Sequence, residues 1–122
     1  MLTDGEREQI IRNAIKTITT KGIKLGIQSW GIEWKSTKGK EHWAPKKDQT
    51  CCALACVLLA DQEKIPKHLA SGRGYSIEKL LDTNTNWVRS FQKGFDGYPK
   101  SEYDREEFAY ELGVMIREEL VK

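Results

Sequence analysis

Apolar residues recur at helical spacing near the start of the chain, at Ile11, Ala14, Ile15 and Ile18. Ahead of them, Thr3-Asp4-Gly5-Glu6 has the form of a capping box, with Thr3 as N-cap and Glu6 reaching back. Lys21-Gly22 supplies a glycine suited to a helix C-terminus. The pattern predicts a helix over 4–20. Period-two alternation follows at Ile23, Leu25 and Ile27, then resumes one residue out of phase at Trp30, Ile32 and Trp34. Gly26, Ser29 and Gly31 flank the slip, which points to a bulge or tight bend. Residues 36–40 read as a hairpin turn, and 41–44 as a returning strand ended by Pro45. That pairing sets Trp34 opposite Trp43.

A second helix is predicted from about Thr50 to Ala60 or Gln62, through the apolar run that holds Cys51, Cys52 and Cys56. Ile65-Pro66 marks a boundary, or Pro66 opens a short helical turn. Residues 71–75 read as a flexible loop. Ser76 caps a short helix through Leu81. Asn84 or Thr85 caps another, with Trp87, Val88 and Phe91 on one face and Gly94 as its end. Residues 95–99 then read as a loop. The last predicted helix covers 102–120, with Phe108, Leu112, Met115, Ile116 and Leu120 as its apolar stripe. Strands and helices are segregated rather than alternating, which gives an α+β domain. A small antiparallel hairpin or sheet packs against four or five helices. The 122 residues form a single domain.

Composition narrows the setting. The chain is 39% hydrophobic and 31% charged, and no apolar run approaches the roughly 20 residues needed to cross a bilayer. The first residues are polar and acidic, without a signal-peptide pattern. Three cysteines within six residues cannot staple distant parts of the chain. A reducing, cytoplasmic location is expected, with no membrane partner. Net charge is only +2, so no global basic field announces nucleic acid. Charge is unevenly placed, however. Five lysines (35, 38, 40, 46, 47) stand against Glu41 in the middle of the chain, and seven acids against two arginines between Glu102 and Glu119.

A thiol at a helix start loses its proton more easily, so Cys51 or Cys52 is a candidate nucleophile with His42 as its base. No protease signature surrounds them, and an apolar helix carrying buried thiols is the plainer reading. Zinc sites use paired ligands in two separate clusters, and this chain has one cluster with adjacent cysteines, so no metal and no cofactor are expected. Asp82-Thr83-Asn84-Thr85-Asn86 opens like a calcium loop, but Trp87 and Lys93 occupy the positions that need glycine and glutamate. Lysines interleaved with tryptophans, with Trp34, Trp43, Lys38 and Lys40 at the centre, would suit single-stranded nucleic acid. Tryptophans at period two, however, usually face a core. Asp96, between Phe95 and Gly97, is either a loop cap or an exposed contact in a binding loop.

The order of Cys51-Cys52-Ala53-Leu54-Ala55-Cys56, Trp87-Val88-Arg89-Ser90-Phe91, Gly94-Phe95-Asp96-Gly97 and Tyr110-Glu111-Leu112-Gly113 resembles that of small bacterial proteins without an assigned activity. Those proteins carry a helix begun by cysteine and a Gly-Phe-Asp-Gly loop. The resemblance spans residues from about 50 onward and implies a fold, not a mechanism. The expected function is that of a small cytoplasmic binding or regulatory protein, bacterial or phage, that is not an enzyme. Its expected partner is a protein or a second copy of itself, a homodimer included. A thiol enzyme and a single-stranded nucleic-acid binder are the alternatives.

Overall fold

In a computed structural model of the chain, residues 2–37, 40–63, 76–102 and 105–121 are described. Pro66 and the loop over 71–75 lie outside them. The first helix, α1 (Asp4–Thr19), opens with the expected capping box: Thr3 accepts from the Glu6 amide, and Glu6 accepts from the Thr3 amide. Its buried face is Ile11, Ala14, Ile15 and Ile18, joined by Arg7. The Arg7 guanidinium donates to the carbonyls of Leu81 and Asp82 at 2.9 and 2.7 Å, and lies over the Trp87 ring. Asp4 accepts from both Arg7 and the Trp87 indole, so a desolvated charge is held by well-formed hydrogen bonds on every side.

The strands form two separate pairs. β1 (Lys24–Leu25) runs parallel to β4 (Thr50–Cys51), and β2 (Ile32–Thr37) runs antiparallel to β3 (Lys40–Pro45). The hairpin is thus an excursion between two strands that return to each other's side. The bend at the phase slip is real: Gln28 and Gly31 both adopt positive φ.

Helix α2 (Ala53–Glu63) starts later than the sequence pattern predicts. Thr50 and Cys51 are taken into β4, where Lys24 donates to Gln49 and Gly26 donates to Cys51. Cys52 then donates to Ser29 and accepts from Cys56, as the residue that precedes the first turn. Every residue from Ala53 to Ala60 is buried, so α2 is apolar all round and forms the centre of the core.

Two helices complete the domain after the short α3 (Ile77–Leu80), which Ser76 caps as expected. α4 (Thr85–Asp96) is capped by Asn84 and runs past Gly94 to end at Gly97, whose φ of 85° is the left-handed conformation of a C-cap. Gly94 has a different task. It meets α5 (Glu107–Leu120) where the two helices cross, and a Cβ there would lie 2.1 Å from the Tyr110 carbonyl oxygen. The reciprocal contact is Gly113, whose Cβ would lie 2.2 Å from the Phe91 carbonyl oxygen. That close approach rotates α5 so that Ala109, Leu112, Gly113 and Ile116 face inward. Phe108, Met115 and Leu120, expected in the apolar stripe, are exposed instead.

Gly113→Ala is expected to lower stability by about 2 kcal/mol or more, because the obstacle is backbone and cannot turn aside. Gly5→Ala, on the open first turn of α1, is expected to raise it by up to about 1 kcal/mol. Urea unfolding of the two variants checks both signs.

Candidate binding surface

The cysteines come together, but in the interior. Cys51, Cys52 and Cys56 are at most 2% exposed. Cys51 directs its thiol to the Gly31 carbonyl at 3.5 Å. Burial pushes the Cys51 thiol up to about 11. Cys56 is raised for the same reason. Cys52 is also raised, chiefly by burial; the amides of Ala55 and Leu54 at the start of α2 pull the other way, and the nearby Asp96 charge adds to the rise. The helix start therefore favours the thiolate, as expected, but desolvation outweighs it. Among the described residues, no group of three or more His, Cys, Asp or Glu side chains is placed to hold a metal ion.

Asp96 is buried at 7% exposure and turned inward. It accepts from the Gln28 amide at 2.8 Å, while its own carbonyl accepts from the Gln28 side chain at 3.0 Å. Gln28 has positive φ, so the carboxylate pins a strained bend 68 positions away in the sequence. The Gly-Phe-Asp-Gly segment is accounted for residue by residue. Gly94 admits α5, Phe95 stacks on Phe91 in the core, Asp96 ties the bend and Gly97 ends the helix.

The hairpin carries exposed aromatic side chains. Trp34 faces Trp43 in the β2–β3 register, as predicted. Their rings meet edge to face at 5.2 Å, and Trp30 packs on the other flank of Trp43 at 5.9 Å. Trp43 is half-buried, whereas Trp30 and Trp34 are 37% and 39% exposed, and Ile27 is 38% exposed. His42 is half-buried on the opposite face of the hairpin, across from Lys35. Lys40 opens β3, and Lys38 lies outside the described residues.

The edges of the hairpin differ. The Trp43 amide donates to the Gln62 side-chain oxygen at 2.6 Å, and the Gln62 side-chain nitrogen donates to the Trp43 carbonyl at 2.8 Å. Both backbone groups of Trp43 therefore point away from β2, making Trp34–Trp43 a non-hydrogen-bonded pair. The bond from the Lys46 amide to the Gly31 carbonyl, three positions along from that pair and therefore in the hydrogen-bonded set, gives the same register. It follows that Trp34 and Ser36 turn their amides and carbonyls toward the free side of β2. Among the described residues these groups have no protein partner. Sequence reasoning found the tryptophans but neither the open edge nor the role of Gln62, which has no local signature.

No family model, no curated protein and no solved structure matches the chain. No helix among the described residues is long and apolar enough to cross a membrane.

Native protein at pH 7–9 is expected to leave all three cysteines unalkylated until it unfolds, as read by peptide mapping; rapid modification of one thiol would contradict their burial. The raised thiols also set an alkaline limit. Between the unfolded value of about 8.5 and the folded one, the native state holds protons that the unfolded chain has lost. Stability is accordingly expected to be unaffected by these groups below about pH 8.5 and to fall as pH rises toward 11. A cysteine-to-serine series unfolded at pH 7 and pH 10 checks whether the thiols carry that loss.

Proposed function

We propose that this chain is a non-enzymatic binding protein whose contact surface is the tryptophan hairpin, and that its partner is a protein. The observation that carries this reading is the placement of Trp30 and Trp34, each more than a third exposed and braced by the half-buried Trp43, whereas Trp87 is packed in the core. Aromatic side chains held rigid by their neighbours give large contact area at low entropic cost. The open β2 edge adds a second means of attachment, since a partner strand can take up its backbone groups.

The alternatives fit less well. A thiol enzyme needs a thiolate that its substrate can reach, and these thiols are enclosed and hold their protons. A single-strand binder needs cations beside the stacking rings. The register separates them: Trp34 and Trp43 share one face with Ser36 and Glu41, while Lys35 lies on the other with Glu33. A cytoplasmic setting belongs to the same reading and draws on the clustered free thiols, which suit a reducing compartment.

The test uses a photo-crosslinking amino acid placed at Ser36 on β2 or at Lys16 on the exposed face of α1, in cell extract. Discrete protein adducts are expected from position 36, weakened by Trp34→Ser, and not from position 16. Equal labelling from both positions would remove the reading.

A further inference from the structure

β2 is complementary to itself. Reversed and laid beside its own copy with Trp34 opposite Trp34, the strand places Glu33 opposite Lys35 and Lys35 opposite Glu33, with Ile32 and Ser36 at the ends. The free edge is in the phase this requires. Trp34 and Ser36 are the residues whose amides and carbonyls point outward, so Trp34 would exchange both backbone bonds with its counterpart. Glu33 and Lys35 would then meet in the closer, non-hydrogen-bonded pairs, where opposite charges contribute most.

Resting on the binding reading above, we propose that the partner for this edge is a second copy of the chain. Two hairpins join antiparallel through β2 about a twofold axis at Trp34, forming one four-stranded sheet. Such a contact is isologous, so every interaction occurs twice and the assembly closes. Residues opposite one another share a face, so the edge-to-face pair Trp43–Trp34 is continued across the axis by Trp34 and Trp43 of the second copy. That row covers the ring that one copy alone leaves 39% exposed. The two Glu33–Lys35 pairs across the axis draw on charges that are both half exposed in the single chain, where they already form an ion pair at 3.3 Å. The interface is small, so the dimer is concentration-dependent and sensitive to salt.

Sedimentation equilibrium of the full chain over a range of concentrations at low salt reads the association directly. Wild type is expected to dimerise. Glu33→Lys and Lys35→Glu each set like charges opposite one another twice, and each is expected to weaken the dimer about tenfold. The double variant Glu33→Lys/Lys35→Glu restores opposite charges and is expected to regain wild-type association. Both positions are exposed, so the fold tolerates these changes, and circular dichroism checks that it does. As a second readout, Trp34→Cys is expected to form an intermolecular disulfide on the axis, because hydrogen-bonded pairs hold their Cα atoms at about 5.5 Å, within disulfide range. A monomeric mass throughout, or a double variant no better than the single ones, overturns the dimer. If cross-links from position 36 to other proteins persist in that case, the dimer fails and the binding reading stands; if they are absent too, both fall.

Discussion

The rest of the structure depends on the need to enclose α2. A helix with no polar face cannot lie on a surface, and from Ala53 to Ala60 this one has none. α1 covers one flank with its isoleucines, and the crossed pair α4–α5 belongs to the same core through Phe91, Phe95, Leu112 and Ile116. The hairpin is attached through Gln62, in the last turn of α2. The domain thus spends its few buried polar contacts where elements must meet at fixed angles. Arg7 joins α1 to the α3–α4 connection, and Asp96 joins the end of α4 to the bend before β2.

The same constraint explains which parts of the fold were legible. Helix α1, the Ser76 and Asn84 caps and the Trp34–Trp43 pairing are set by residues close together in sequence or by a short turn. Capping chemistry and alternation report those directly. The errors lie where a distant partner decides. Thr50 and Cys51 look helical because they adjoin an apolar run, yet β1, from 26 residues earlier, claims them as a strand. Gly94 looks like a helix stop because glycine is read by its conformational freedom, whereas here it serves by its lack of a side chain. Phe108 and Met115 fit an apolar stripe by spacing, but Gly113 fixes which way α5 turns.

The candidate site divides along similar lines. Aromatic residues on the hairpin are visible in the sequence, and so is the cysteine cluster. Their exposure is not visible. Period-two tryptophans commonly face inward and a helix-start thiol is commonly activated, and each generalisation fails here for a local reason. The hairpin is anchored through Ile32 and Trp43, which leaves Trp30 and Trp34 more than a third exposed. The cysteines sit one strand deeper than a helix start on the surface would place them, so burial governs their protonation. Asp96 reads as a loop residue because nothing near it in sequence needs a carboxylate; the group that needs it is the Gln28 amide.

The unequal edges of the hairpin bear on aggregation. Open-ended ribbons grow because each added strand offers a fresh row of backbone groups to the next. In β3 that row is interrupted: Pro45 has no amide to offer, and Gln62 occupies both groups of Trp43. A strand arriving at β2 finds a template, while one arriving at β3 finds it already taken. The single glutamine at the end of the core helix therefore acts as a chain terminator, confining strand addition to one side of the molecule and denying this exposed, tryptophan-rich ribbon a route to fibrils.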